Sequence, residues 1–267
     1  MTPALRWVIQ TNLGSSKDAE AFARACERAG HEVERLVRAP FDQGAPSVPC
    51  QGPTVFYGAG SLVEAVAAAG RWRPGVWPLG EDYADWVARY GEHMLNAGAR
   101  FLTLAELAED AALAEDEGLY FARPCADTKL FAGQVAAGSA HVAWARRALS
   151  VTEAKLDPST SLLLAQPVGI RAEWRLFAVD GRVVTGSRYR SYQRLTVSPE
   201  LPREVVDFAE ARLREHAPAP VLVMDVGRSG ERLYIIELNG FNSAGFYAAD
   251  LGALVQAIAA LVARAPD

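Results

Sequence analysis

Residues 221–246 read VLVMDVGRSGERLYIIELNGFNSAGF, and the pairing of the two apolar halves of this stretch decides how the chain folds. Val221–Val226 and Leu233–Leu238 are expected strands, joined by a polar turn around Ser229-Gly230. Side chains two apart on a strand share a face, so Glu237 and Asn239 point one way and Ile236 and Leu238 the other. Asp225 joins Glu237 and Asn239 only if paired residue numbers sum to an even value, which requires an odd-length loop. A two-residue Ser229-Gly230 turn would turn Asp225 to the wrong face, so a loop of three or five residues is expected.

In that register two carboxylates and an amide oxygen converge. Two bare carboxylates about 4 Å apart repel by about 4 kcal/mol at an effective dielectric near 20, so the cluster calls for a cation. An all-oxygen set with few protein ligands suits Mg²⁺, which shares its shell with water and phosphate oxygens. Taken alone, the same residues also fit a turn and a solvated strand end.

The chain has 267 residues, enough for one large core or two modest ones. Half of it is apolar and 22% is charged, the balance of a soluble globular protein. No apolar run reaches the roughly 20 residues of a membrane span, and the opening MTPALRWVIQ lacks a signal-peptide pattern. The three cysteines lie far apart with no C-x-x-C spacing, which argues against a disulfide framework and fits a cytoplasmic setting. A net charge of −5 argues against general nucleic-acid binding.

Upstream, 5–10 is an expected strand, 15–29 a helix, 31–36 a strand, 54–57 a strand and 61–69 a helix. That β-α-β-β-α order predicts a small α/β unit with a largely parallel sheet. Gly58-x-Gly60 follows a strand, but Val63 stands where a dinucleotide fingerprint needs its third glycine, so a plain strand-to-helix turn is expected. No G-x-x-x-x-G-K-S/T occurs. The connector RWRPGVWPLG, residues 71–80, marks the expected domain boundary. Helices are expected over 85–97 and 103–110, then a strand over 119–122 that Pro124 stops, with Gly133 and Gly138 loosening the segment after it. Arg123 and Lys129 are the cations of this segment, placed either as surface charges or to meet phosphates. Ser161–Val168 is an apolar strand stopping at Pro167.

The hairpin Glu173–Arg188 turns on Asp180-Gly181, a strong two-residue signal. That turn pairs Phe177 with Val184, Arg175 with Gly186 and Glu173 with Arg188. It places Glu173, Arg175 and Arg188 on one face, extended by Arg190, with Trp174, Leu176 and Ala178 on the other. Cross-strand pairs on a solvated face fit the same residues. Helices over 202–216 and 250–263 complete the chain.

Together these segments resemble the ATP-grasp superfamily over the whole chain, in the strand-Pro at Phe121–Pro124, the strand Leu162–Pro167, Glu173-x-Arg175, and Asp225 with Glu237-x-Asn239. The Asp…Glu-x-Asn separation is similar to that in the ribosomal-protein glutamate ligases. Arg123-Pro124 departs from the usual Lys-Pro, with Lys129 six residues on. In this it looks like a divergent bacterial and phage branch, to which RPCADTKLFAGQV and ELNGFNSAGFYAAD look especially close. The resemblance implies an α/β and α+β fold: a pre-ATP-grasp domain over 1–80, then an ATP-grasp domain whose lobes, 81–160 and 161–267, clasp ATP.

The resemblance also implies an ATP- and Mg²⁺-dependent carboxylate–amine ligase, with Mn²⁺ as a substitute ion and an acyl phosphate as intermediate. Asp225, Glu237 and Asn239 would hold the metal. Arg123 and Lys129 would meet phosphates, the backbone of Leu164, Ala165, Gln166 and Pro167 would meet adenine, and Glu173 would join the nucleotide site. Arg175 and Arg188 would clamp the transferred phosphoryl group. Arg190, Asn242, Ser243 and Tyr247 are candidate substrate contacts; the last three fit a cap of the final helix equally. The partners would be a small-molecule or peptide carboxylate and an amine, with a homodimer allowed. A phosphotransferase and a nucleotide-binding protein without catalysis remain open as alternatives.

Overall fold

The computed structural model describes residues 5–13, 16–39, 42–126, 130–151 and 156–264. They form two compact units, one of Met1–Gly80 with Ile170–Asp267 and one of Glu81–Gly169. The first unit begins with β1 (Arg6–Gln10), α1 (Ser16–Arg28), β2 (Glu32–Leu36), β3 (Thr54–Tyr57), α2 (Gly60–Ala69) and β4 (Pro74–Gly75). Its strands run parallel in the order β2-β1-β3-β4, as the β-α-β-β-α reading anticipates. Gly58 serves packing: a Cβ there would lie 2.8 Å from the Cβ and Oε1 of Gln10, and the Ala59 amide donates to that Oε1 at 3.1 Å.

The second unit contains α3 (Tyr83–Tyr90), β5 (Arg100–Thr103), α4 (Leu104–Glu109), α5 (Ala111–Ala114), β6 (Leu119–Pro124), β7 (Gln134–Ala137), α6 (Gly138–Ser150) and β8 (Ser161–Ala165). Its antiparallel sheet runs β5-β8-β6-β7 over a core of Leu102, Leu107, Val142, Leu162 and Leu164. Thr103 caps α4 as anticipated, accepting from the Glu106 amide at 3.2 Å while Glu106 accepts from the Thr103 amide at 2.6 Å. The helix expected over 85–97 starts earlier, at the Asp82 capping box, and ends at Tyr90. Gly138 opens a helix instead of loosening the chain. A Cβ there would meet Leu113 Cδ1 at 2.6 Å, so the missing side chain lets α6 approach α5. Because β8 pairs with β5 and β6, residues 161–169 belong with 81–160 and not with the C-terminal lobe, a correction to the expected lobe boundary.

The first unit resumes with β9 (Ala172–Val179), β10 (Arg182–Ser191), β11 (Arg194–Ser198), α7 (Arg203–Glu215), β12 (Val221–Ser229), β13 (Arg232–Gly240) and α8 (Leu251–Arg264). The strands form one antiparallel sheet, β11-β10-β9-β12-β13. Buried aromatic rings join it to the parallel sheet. Phe246 lies 4.7 Å from Phe22, 5.0 Å from Tyr57 and 5.7 Å from Phe177, centroid to centroid. Such spacings add to area burial, which is why two distant chain segments make one unit. No helix among the described residues is long and apolar enough to cross a membrane.

Candidate functional site

Ser229 pairs with Arg232, so β12 and β13 are joined by a two-residue turn, Gly230-Glu231, with Gly230 at φ 57°. This corrects the expected three- or five-residue loop. The register shifts once, between Val226–Ile235 and Asp225–Glu237, leaving Ile236 as a bulge. A Cβ on Gly227 would lie 2.9 Å from Ile236 Cδ1, so glycine makes room for the bulged side chain. Beyond the bulge the sums are even: Asp225 faces Glu237 and Val223 faces Asn239. Asp225, Glu237 and Asn239 therefore share a face, by a different device from the one expected.

On the other side of β12, Asp225 pairs with Arg175 and Gly227 with Glu173. Arg175 grips Asp225 with two hydrogen bonds, Nε to Oδ1 at 2.8 Å and Nη2 to Oδ2 at 2.7 Å. Asp225 is 1% exposed. Burial raises its carboxyl to about 6; Arg175 opposes the rise, while Glu237 and Glu173 add to it. Asn239 Nδ2 donates to Glu237 Oε1 at 3.1 Å. Glu173, also buried, accepts from the Tyr189 hydroxyl at 2.6 Å and from Arg190 Nη1 at 3.5 Å.

The Asp180-Gly181 turn forms as expected, but the pairing beyond it does not. β10 has ten residues and β9 eight; Val184 and Tyr189 are the two left unpaired. Thr185 faces Phe177, Ser187 faces Arg175, Arg188 faces Trp174 and Arg190 faces Glu173. Arg188 is thus corrected to the Trp174 face, where its Nη1 pairs with Glu200 at 3.0 Å. Arg190 takes the place expected of it beside Glu173. Tyr189 was missed because simple alternation assigns it to the Trp174 side; no local signal marks the bulge that turns it over.

Tyr189 stacks on Tyr247 at 4.9 Å with 7° between planes, and the Arg175 guanidinium lies 5.7 and 5.2 Å from the two ring centres. Tyr247 stands at φ 52°, is 41% exposed, and burial raises its phenol. Ser243 is exposed. Asn242 is buried and structural: Nδ2 donates to the Phe56 carbonyl at 2.6 Å and Oδ1 accepts from the Trp77 amide at 2.9 Å. The final helix is capped instead by Asp250, which accepts from the Ala253 amide at 3.0 Å.

In the second unit Arg123 ends β6, with Nε donating to the Pro124 carbonyl at 3.3 Å and its guanidinium 5.2 Å from the Tyr83 ring centre. Leu164 and Ala165 are buried at the end of β8, and Gln166 and Pro167 follow exposed. Lys129 lies outside the described residues.

Among the described residues no group of three or more His, Cys, Asp or Glu side chains is placed to hold a metal. The set on this sheet face is two carboxylates and an amide. It suits a hard divalent cation, because like-charge neighbours already strain the buried Asp225.

No protein of curated function matches the chain in sequence. Among solved structures it is similar to D-cycloserine synthetase DcsG, at 14% identity and TM-score 0.65 over 97% of this chain and 99% of that one. A RimK domain ATP-grasp protein from Sphaerobacter thermophilus is 16% identical, with TM-score 0.61 over 97% and 99%. The ATP-grasp ligase PsnB with its minimal precursor is 14% identical, with TM-score 0.59 over 98% and 100%. At these identities the likeness shows the ATP-grasp fold. The profile of the ATP-grasp domain, clade family 3, matches residues 47–258, and this chain belongs to that ATP-grasp family.

Proposed function

We propose that this protein is an ATP-dependent carboxylate–amine ligase that forms an amide or peptide bond through an acyl phosphate. The observation that carries the reading is the cross-strand pair Asp225–Glu237, with Asn239 beside it and Arg175, Glu173 and Arg190 on the same sheet face. Family membership supports ATP as the nucleotide. The similar structure of PsnB was determined with Mg and ADP, and Mg²⁺, or Mn²⁺ in its place, fits the oxygen set here. Asp225, Glu237 and Asn239 would hold it. When bound, the metal supplies Lewis-acid stabilisation of phosphate oxygens.

The chain's own residues do the rest. Arg190, whose side chain is 46% exposed, presents a guanidinium beside the cluster for a transferring phosphoryl group. Arg175 orders Asp225. Arg123 and Lys129 neutralise nucleotide phosphates, the Leu164–Pro167 backbone meets adenine, and Glu173 holds Arg190 in place. Ser243 and Tyr247 meet the substrate. A substrate carboxylate oxygen attacks the γ-phosphorus and ADP leaves. The deprotonated amine then attacks the acyl carbon, and phosphate leaves carrying one of the original carboxylate oxygens.

The test is interception. With ATP, Mg²⁺ and a panel of amino acid and peptide carboxylates but no amine, hydroxylamine should yield a hydroxamate, and carboxyl-¹⁸O should appear in released phosphate. A stable phosphorylated product with neither signal would make the protein a phosphotransferase.

A further inference from the structure

We infer that Arg175 is a positioning residue that occupies Asp225 while the divalent-cation site is empty and is displaced from it when a cation binds, so that metal entry releases a guanidinium beside the nucleotide phosphates. The inference rests on the metal site proposed above. Both Asp225 oxygens accept from Arg175, at 2.8 and 2.7 Å, and the pair is deeply buried. A planar fork engaging both oxygens satisfies the carboxylate as a ligand-sized cation would. A divalent ion sharing those oxygens would stand beside the guanidinium with twice the repulsion of two unit charges, in a buried place where screening is weak. One of the two must give way.

The surroundings hold the guanidinium loosely on its remaining side. Its third nitrogen, Nη1, reaches the Gly245 carbonyl at the long distance of 3.4 Å. The Tyr189 and Tyr247 rings lie within 6 Å of it, the reach of a cation–π contact. Tyr247 keeps its left-handed backbone because neighbouring atoms hold the turn. The Ala248 amide donates to Ser187 Oγ at 3.4 Å, the Asp250 amide donates to Thr185 Oγ1 at 2.8 Å, and Phe246 is locked in the aromatic cluster. A strained aromatic residue held in place beside a charged cluster marks a site where position matters more than local stability. The two rings steady Arg175 on Asp225 without adding a second anion to retain it.

Opposite effects from one substitution test this. Binding of Mn²⁺ alone is read from the free-ion electron paramagnetic resonance signal, and binding of the non-hydrolysable analogue AMPPNP with Mn²⁺ is read by calorimetry. Arg175→Ala should bind Mn²⁺ alone about tenfold more tightly than wild type, yet bind AMPPNP with Mn²⁺ about tenfold more weakly. Removing Arg175 leaves a buried charge without its partner, so Tyr247→Ala, which loosens the guanidinium but keeps its charge, should raise Mn²⁺ affinity about threefold in a folded protein. If wild type binds Mn²⁺ and the folded variants bind it equally or more weakly, the inference is overturned and the metal site stands. If wild type binds no Mn²⁺ with or without nucleotide, the metal site falls and the inference with it.

Discussion

Asp225 and Glu237 face each other across β12 and β13 because one bulged residue, Ile236, offsets a two-residue turn. Their carboxylates belong to the same face of the sheet, and Asn239 follows one pleat on. Glu237→Gln keeps the shape and removes a negative charge from this set. The variant should melt close to wild type and lose Mg²⁺-dependent ADP release by about a hundredfold, if the carboxylate stabilises the reaction through the metal. Thermal melting and ADP release with an accepted substrate pair check it; normal turnover would remove Glu237 from the site.

Arg188 and Arg190 are two residues apart yet serve opposite faces, because Tyr189 is bulged between them. Arg188→Ala loses an ion pair to half-exposed Glu200 and should leave AMPPNP affinity within about twofold. Arg190→Ala should lower turnover by about tenfold or more. Calorimetry and ADP release on the two variants distinguish them, and the reverse ranking would return Arg188 to the catalytic role.

Asn242 ties the segment after β13 to the parallel sheet through two hydrogen bonds to backbone groups. Asn242→Ala leaves the Phe56 carbonyl and the Trp77 amide without those partners, at a cost of about 2–5 kcal/mol. Urea denaturation measures the loss. Unchanged stability with weakened substrate affinity would instead make Asn242 a ligand contact.

The Asp225 carboxyl titrates at about 6 in the folded protein, against roughly 3.9 in an unfolded chain. Between those values the folded state retains a proton that the unfolded state has lost. Its contribution therefore makes stability fall as pH rises from about 4 to about 6, by up to about 3 kcal/mol, and stay level above that. Asp110, Asp116 and Asp157, held low chiefly by hydrogen bonds, act in the opposite sense and below that window. Denaturant titrations at pH 4.5 to 7 without divalent ions should show the falling slope in wild type and its loss in Asp225→Asn.

Elements that depend on near neighbours in the chain were legible before any packing was known. Asp180-Gly181 between apolar runs makes a two-residue turn wherever it stands, and Thr103 with Glu106 caps a helix through bonds three residues apart. Alternating strands and helices separated by glycine and proline dictate a small parallel sheet. The oxygen set was legible too, since Glu237 and Asn239 share a face by the period of a strand alone. Which residues join them was settled by packing between strands. Val184, Tyr189 and Ile236 bulge out of their ladders, and each bulge reverses the faces beyond it. A strand's period carries no record of a skipped residue, because the skip is set by contact with neighbouring strands. Gly186 shows the constraint: a Cβ there would lie 2.6 Å from the Arg175 carbonyl oxygen. For the same reason Arg188 left the site, Arg190 and Tyr189 entered it, and β8 joined the sheet of the second unit.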